Sequence, residues 1–136
     1  MPSQRVLIVE DEMLVAMELE ATLESAGYEV SGIATSEAEA IAIARAKIPN
    51  LAVVDVRLAP GDGRNVAREL ADRFNTTILM ATSDAPRSLD GIGASAVLPK
   101  PYDADLVPAA LEAAEDLAAG GDPGKLPDHM RALRKN

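Results

Sequence analysis

Cysteine is absent from the 136-residue chain, and histidine occurs once, at position 129. These absences exclude disulfide bonds, thiolate metal sites, thiol catalysis and any site built from several histidines of one chain. Aromatic residues are almost as scarce, since only Tyr28, Phe74 and Tyr102 are present. Three rings are too few for a base-stacking platform of the kind that binds single-stranded nucleic acid.

Positive charge is scarce over most of the chain. The formal net charge is −9, although residues 120–136 contain four basic and two acidic side chains. An acidic body of this kind repels phosphate backbones, which predicts that it does not bind nucleic acid directly. No apolar run approaches the ~20 residues of a membrane span, and acidic residues end the N-terminal apolar run at Glu10, unlike in a signal peptide. We therefore expect a soluble, cytoplasmic protein without a membrane partner.

Short β-branched runs alternate with segments of helical periodicity. Five strands are predicted, beginning near Val6, Val30, Leu51, Thr77 and Ala96. Helical patterns follow the first three and the last, an alternation that predicts a doubly wound, five-stranded parallel α/β sheet with helices on both faces. Residues 83–95 include Pro86, Gly91 and Gly93 and have no apolar period, so the fourth helix should be short or irregular. Ser36 and Glu39 form a capping-box pattern before the second helix.

The C-terminal residues differ in composition from the rest of the chain. Residues 120–124 read Gly-Gly-Asp-Pro-Gly, so we place the domain at residues 1–119 and a linker with a short tail at residues 120–136. Leu126, Met130 and Leu133 are spaced for one face of a short basic amphipathic helix that docks on an acidic surface. A frayed terminus is the alternative interpretation.

Polar side chains stand at the predicted carboxyl ends of four strands. Glu10 and Asp11 end the first strand, Asp55 the third, Thr82 the fourth and Lys100 the fifth. In a parallel sheet these ends share one edge, where the five groups should converge. Clustered carboxylates repel one another unless a cation neutralises them, and hard oxygen ligands without histidine or cysteine select Mg²⁺. Asp55 could then act as a nucleophile that forms an acyl phosphate.

Five short segments carry a resemblance to a known family: residues 6–12 (VLIVEDE), 53–58 (VVDVRL), 61–63 (GDG), 81–83 (ATS) and 98–102 (LPKPY). In this order and spacing they resemble the response-regulator receiver domain of two-component signalling, from residue 5 to about residue 119. The resemblance implies a flavodoxin-like (βα)5 fold. Because the remaining residues are too few for a DNA-binding or catalytic domain, we expect a stand-alone, single-domain receiver. Asp55 resembles the aspartate that accepts the phosphoryl group, Thr82 the residue whose hydroxyl moves to it, and Lys100 the lysine that contacts it. The resemblance also implies a cis peptide between Lys100 and Pro101.

The family's metal site implies a ligand set for Mg²⁺ in this chain. Asp11, Asp55 and the main-chain carbonyl of Arg57 correspond to the metal ligands, and Glu10 to an acid that acts mainly through water. Arg57 and Asp84 occupy the two positions that tune attack of water on the phosphorylated form. Opposite charges at these positions could pair across the mouth of the site and slow hydrolysis, or they could be two independent exposed side chains.

The predicted switch region departs from the family pattern. Receivers often carry a Tyr or Phe three residues before the lysine, whereas this chain has Val97. Residues 80–84 (MATSD) match the motif of an atypical receiver subgroup at two positions. We assign the switch region to Ser83, Val97 and Tyr102. Residues 83–95 are expected to be mobile without phosphate and more ordered with it, the alternative being a rigid irregular loop.

The predicted function is phosphoryl acceptance from a histidine kinase or a histidine phosphotransfer protein. Output would then be contact with a protein effector, or relay or draining of the phosphate, in a domain that catalyses only its own phosphorylation and dephosphorylation. One alternative is a pseudo-receiver scaffold that works without phosphorylation. Another is an aspartate-nucleophile phosphohydrolase, which is disfavoured because Arg57 stands where the Asp-x-Asp motif of those enzymes needs its second acid.

Overall fold

Five parallel strands form the centre of the structure, a computed structural model that describes residues 4–83 and 89–134. They are β1 (Arg5–Val9), β2 (Glu29–Ala34), β3 (Leu51–Asp55), β4 (Thr77–Thr82) and β5 (Ala96–Pro99), in the spatial order β2-β1-β3-β4-β5. All of β3 and all but the first residue of β1 are buried, as expected for central strands covered on both faces. The predicted five-stranded parallel sheet is confirmed.

Four α-helices cover the sheet in the part of the chain that the structure describes. They are α1 (Met13–Ser25), α2 (Glu37–Ala46), α3 (Gly63–Phe74) and α4 (Val107–Ala118), the last preceded by a 3₁₀ turn (Ala104–Leu106). Apolar residues of α1 and α4 share one core cluster, and those of α2 and α3 share the other. None of the described helices combines the length and apolar character that crossing a bilayer requires.

The N-terminus of α2 is held by side chains on both sides of the helix start. The Ser36 hydroxyl accepts from the Glu39 backbone N–H at 3.2 Å. The Glu39 carboxylate reaches back to Thr35, whose backbone N–H and hydroxyl each donate to Oε1 at 2.7 Å. The predicted Ser36–Glu39 cap is therefore formed, although Glu39 reaches back to Thr35, the residue before the N-cap, and not to the Ser36 N–H.

The described part of the segment between β4 and β5 contains no helix. Leu89, Ile92 and Ala94 are buried against the α3 side of the core. Gly93 lies so close to α3 that a Cβ built on it would be 2.7 Å from the Cβ of Ala71. Residues 89–95 are thus a packed irregular loop, in agreement with the predicted irregular fourth helix. The rest of this segment, with Asp84 and Pro86, lies outside the described residues, and the order–disorder change stays a prediction.

The C-terminal tail adds a sixth, antiparallel strand to the sheet. Strand β6 (Arg131–Ala132) pairs with β5, and the Leu133 N–H donates to the carbonyl of Ser95 at 2.9 Å. Met130 is buried on the α1/α4 side. The predicted amphipathic helix is wrong for these residues, and so is the frayed terminus. The physical reason is that the edge of β5 presents unpaired backbone groups, which an extended tail satisfies and a helix cannot.

Candidate functional site

Four strand ends place polar side chains at one edge of the sheet. Glu10 directly follows β1, Asp55 and Thr82 are the last residues of β3 and β4, and Lys100 directly follows β5. The register is consistent with convergence, because Asp55 pairs with Ala81 and Thr82 with Pro99 across neighbouring strands. Glu10, Asp55 and Thr82 are all buried although they are polar. The structure therefore brings the predicted cluster together in a largely enclosed position.

Lys100 bridges two of the buried carboxylates. Its Nζ donates to Oε1 of Glu10 at 2.8 Å and to Oδ2 of Asp55 at 2.8 Å. The Lys100 side chain is 12% exposed, that of Glu10 4% and that of Asp55 8%. Charges at this degree of burial are tolerated when they are paired and hydrogen-bonded, and here one ammonium serves two acids.

Burial sets the protonation of the cluster. Burial raises the pKa of Glu10 from 4.5 to about 7; the hydrogen bond from Lys100 opposes the rise and contact with Asp55 adds to it. Burial alone would lower the pKa of Lys100, but its hydrogen bonds to Asp55 and Glu10 outweigh this effect and raise that pKa. Tyr102 nearby has its pKa raised to about 12, first by burial and then by the charge of Glu10. Lys100 is therefore a permanent cation, and Glu10 is close to its titration midpoint at neutral pH.

The turn after β3 orients the carboxylate of Asp55. Its Oδ1 accepts from the backbone N–H of Arg57 at 3.0 Å, while Oδ2 faces Lys100. The turn closes because the Gly63 N–H donates to the carbonyl of Val56 at 2.9 Å. A Cβ built on Gly63 would collide with the carbonyl oxygen of Asp55, so only glycine permits this approach.

The acidic residues have a suitable arrangement for a divalent cation. Glu10, Asp11 and Asp55 each offer a carboxylate oxygen, and these atoms lie within 4.8 Å of one another. All of the donors are hard oxygens, which Mg²⁺ prefers, and Asp11 is exposed, so the group has access to solvent. Arg57, whose main-chain carbonyl is expected to be a further ligand, contacts the Asp55 carboxylate through its backbone N–H. The carboxylates present therefore fit Mg²⁺, while the single positive charge of Lys100 is shared between Glu10 and Asp55.

The remaining predicted residues lie around this cluster at different depths. The carbonyl of Thr82 accepts from the Lys100 N–H at 2.7 Å, which fixes the start of the β5–α4 loop. Ser83 is exposed, Val97 is buried in the α2/α3 core, and Tyr102 packs against the α1/α4 core. The expected cis peptide between Lys100 and Pro101 is present. Asp84 falls outside the described residues.

One neighbour of the cluster was not predicted. The backbone N–H of Glu12 donates to Oε2 of Glu10 at 3.2 Å, and Oε1 of Glu12 lies 3.9 Å from Nζ of Lys100. Its side chain is 67% exposed, so it lies at the rim of the site. Proximity to the Glu10–Asp11 pair was the only signal in the sequence, and it does not distinguish Glu12 from an ordinary helix-start acid.

Comparison with known proteins points to one family. The family model for the response regulator receiver domain matches residues 6–112. The chain is 38% identical over 111 residues to the transcriptional regulatory protein PdtaR of Mycobacterium tuberculosis, an alignment that covers 78% of this chain and 54% of that protein. It is 39% identical over 88 residues to the phyllosphere-induced regulator PhyR of Methylorubrum extorquens, covering 63% and 33%. The chain thus spans about half the length, or less, of these curated relatives.

Solved structures agree with this result. A CheY-like response regulator receiver domain protein of Methanospirillum hungatei superposes with a TM-score of 0.76 at 28% identity, covering 88% of this chain and all of that one. The signal receiver domain of a modulated diguanylate cyclase of Desulfovibrio desulfuricans gives 0.78 at 32% identity, covering 87% and 98%. With a family model that matches most of the chain and a shared sheet topology, this chain belongs to the response regulator receiver domain family of two-component signalling.

Proposed function

We propose that Asp55 accepts a phosphoryl group from the phosphohistidine of a histidine kinase or a histidine phosphotransfer protein. The phosphorylated chain then contacts a protein effector, or relays or drains the phosphate. The observation that carries this proposal is the Asp55 carboxylate itself. It is buried, its two oxygens are oriented by the Arg57 N–H and by Lys100 Nζ, and it stands beside two further acids.

The chemistry is a single displacement at phosphorus. A carboxylate oxygen of Asp55 forms a bond to phosphorus while the bond between phosphorus and the histidine nitrogen breaks, and the released imidazole takes up a proton. Lys100 Nζ lies 2.8 Å from Oδ2 of Asp55. It is therefore positioned to stabilise negative charge first on the carboxylate and then on the phosphoryl oxygens. The Thr82 hydroxyl, at the neighbouring strand end, is the second donor for those oxygens.

The cation that we propose for the acidic group is Mg²⁺. Asp11, Asp55 and the Arg57 carbonyl would hold it, and Glu10 would act mainly through water. When bound, Mg²⁺ supplies positive charge that offsets repulsion among the three carboxylates and the incoming phosphoryl oxygens. In the metal-free protein the pKa of Glu10 is raised mainly by its burial, and the neighbouring Asp55 adds to the rise.

An exposed apolar patch beside the site is suited to the phosphodonor protein. Met13, Leu14 and Met17, the α1 patch, are 48%, 86% and 55% exposed in the first turns of α1, directly after the acidic residues. Large apolar side chains that are exposed together mark a contact surface. We assign the α1 patch to docking of the phosphodonor protein, because these exposed apolar side chains follow directly after the acidic residues of the site.

Arg57 and Asp84 are the two residues expected to set the rate at which the phosphorylated aspartate is hydrolysed. Arg57 is exposed at the mouth of the site, two residues after Asp55. We propose that Arg57 and Asp84 together restrict the access of water to the phosphorylated aspartate. Dephosphorylation of the Arg57→Ala, Asp84→Ala double variant should then be faster than that of wild type, and equal rates would contradict this role.

Intact-mass spectrometry after incubation with acetyl phosphate tests the proposed function. The mass should increase by one phosphoryl group in Mg²⁺ and not in EDTA. Asp55→Asn should abolish the increase, and Asp72→Asn, which changes an exposed aspartate on α3, should leave it intact. A folded protein that gains no phosphoryl group under any of these conditions would instead support the pseudo-receiver scaffold.

The docking assignment has its own matched control. Leu14→Ser should slow phosphoryl transfer from a phosphorylated histidine phosphotransfer protein without changing the reaction with acetyl phosphate. Ile48→Ser removes another exposed apolar side chain, 54% exposed against 86% for Leu14, and Ile48 precedes β3 at the opposite end of the sheet. If Ile48→Ser slowed transfer as much as Leu14→Ser, the α1 patch would not be the docking surface.

A further inference from the structure

Glu37, the first residue of α2, reaches across to the loop between β3 and α3. Its Oε2 accepts the backbone N–H of Asp62 at 3.0 Å, a contact between residues that are 25 positions apart. Gly61, with φ of 116°, lies against the same carboxylate, and a Cβ built on it would collide with Oε2. Because Gly61 has no side chain, the Glu37 carboxylate can pack directly against the backbone of the loop.

The start of α2 is rigid enough to aim this side chain. Ser36 and Glu39 hold the first turn through the capping interactions described above, and Glu39 is bound to Thr35 twice at 2.7 Å. Glu37 lies between these residues, and its own carboxylate points to the loop, not to its helix. Two acids of one helix turn thus have separate tasks: Glu39 caps the helix, and Glu37 binds the loop.

The β3–α3 loop connects Glu37 to the proposed phosphoacceptor, Asp55. Asp62, whose N–H is held by Glu37, forms an antiparallel bridge with Arg57. The Arg57 N–H in turn donates to Oδ1 of Asp55 at 3.0 Å. The far end of the loop is anchored independently, since the Asp62 side chain accepts from the Arg64 N–H at 2.9 Å and caps α3. Three successive contacts therefore connect Glu37 to the carboxylate of Asp55.

We propose that Glu37 is a positioning residue for the phosphoacceptor site. It holds the β3–α3 loop so that the Arg57 N–H keeps Oδ1 of Asp55 oriented. This inference rests on the proposed function of Asp55. Glu37 touches no reacting atom, so its effect is on the orientation of Asp55.

A purely structural role of Glu37 would have different consequences. If the contact only joined α2 to the rest of the domain, any substitution that weakened the start of α2 would have the same effect. Glu39→Ala is the matched control, because it removes two bonds from the same helix turn without contacting the loop. Glu37→Gln is the conservative variant, because an amide oxygen can still accept the Asp62 N–H.

Backbone amide hydrogen exchange of the metal-free protein provides a first readout that does not require phosphorylation. In Glu37→Ala the Asp62 amide should exchange about tenfold faster, the effect of losing one hydrogen bond to a charged acceptor, and the Arg57 amide should also exchange faster because the loop that positions it is released. In Glu37→Gln they should stay within about twofold of wild type. In Glu39→Ala the Thr35 amide should exchange faster while that of Arg57 is unchanged. Wild-type protection of Arg57 in Glu37→Ala would overturn the proposal.

Initial rates of phosphorylation by acetyl phosphate at saturating Mg²⁺ are the second readout. Glu37→Ala should lower the maximal rate about five- to tenfold with little change in the half-saturating donor concentration, since orientation and not donor binding is impaired. Glu37→Gln should recover the rate and Glu39→Ala should retain it. An equal loss in Glu39→Ala would overturn the proposal. If the wild-type protein accepted no phosphoryl group, the proposed function of Asp55 would be wrong. The hydrogen-exchange data would still decide whether Glu37 holds the Arg57 backbone.

Discussion

Lys100 holds two buried carboxylates together, and the Lys100→Met substitution removes its charge while keeping an unbranched side chain. Nζ lies 2.8 Å from both Oε1 of Glu10 and Oδ2 of Asp55, and the three side chains are 12%, 4% and 8% exposed. Removing one partner of a buried ion pair leaves an uncompensated charge, which costs ~3–5 kcal/mol. Because the exposed Asp11 gives the cluster access to solvent, we expect the lower end, a loss of about 3 kcal/mol of unfolding free energy at pH 8 in EDTA.

The loss should be smaller at pH 5.5. The pKa of native Glu10 is raised to about 7, so Glu10 is protonated and uncharged at pH 5.5. Asp55 is then the only one of the two carboxylates that loses a neutralising partner when Lys100 is replaced. We expect the cost of Lys100→Met to fall to about 1–2 kcal/mol under these conditions. At pH 8, millimolar Mg²⁺ should restore part of the lost stability, because a bound cation neutralises the same carboxylates.

Urea unfolding followed by far-UV circular dichroism measures these differences, since the chain contains no tryptophan to serve as a fluorescent probe. The matched control is Lys47→Met, because Lys47 pairs with Glu29 at 3.3 Å between side chains that are 55% and 42% exposed. Exposed pairs of this kind contribute about 0–1 kcal/mol. Equal losses in the two variants, or a Lys100→Met loss that is the same at both pH values, would refute the reasoning that burial determines the cost.

Metal binding, protonation and the tail each have a further consequence for stability. Millimolar Mg²⁺ should raise the Tm of wild type in scanning calorimetry, and Asp55→Asn should remove most of the rise; no rise in wild type would contradict the metal site. In EDTA the unfolding free energy should fall by up to about 3 kcal/mol as pH increases from 5 to 8, because native Glu10 keeps a proton that the unfolded chain has released. Glu10→Gln should flatten this dependence in urea titrations, and a flat wild-type profile would contradict the raised pKa. Met130→Ala should cost about 2 kcal/mol because Met130 is buried, whereas the exposed Arg131→Ala should cost less than about 0.5 kcal/mol; equal urea midpoints would contradict a packed tail.

The sheet and the convergence of the site were predictable because both depend on local pattern and one topological rule. Continuous apolar runs of strand length at residues 6–9 and 51–54 became β1 and β3, two neighbouring interior strands. Once the sheet is parallel, the residues that end its strands must meet at one edge. That rule placed Glu10, Asp55 and Lys100 together without any knowledge of their distances.

The tail and the loop contact were not predictable, because each depends on a tertiary partner. Leu126, Met130 and Leu133 have helical spacing, yet the unpaired edge of β5 selects an extended conformation for Arg131 and Ala132. Glu37 likewise reads as an ordinary acid in the first turn of a helix. Its partner, the Asp62 N–H, lies 25 positions away in a loop whose course follows from the packing of α2 against α3.

The identity of the acid whose pKa is raised could also not be predicted from the sequence. Clustered acids predict raised pKa values in general, but they do not indicate which acid is affected. Burial is the largest cause of the raised pKa of Glu10, while Lys100 donates to both Glu10 and Asp55. Only the folded geometry shows that one lysine serves two carboxylates.

Chemical trapping of the phosphorylated residue tests the central claim most directly. The protein is incubated with acetyl phosphate and Mg²⁺, reduced with borohydride, which converts an aspartyl phosphate to homoserine, and digested for peptide mass spectrometry. The account predicts homoserine at position 55, dependent on Mg²⁺ and absent when EDTA replaces it. An unmodified Asp55 in a folded protein that binds Mg²⁺, or reduction at a different acidic residue, would contradict it.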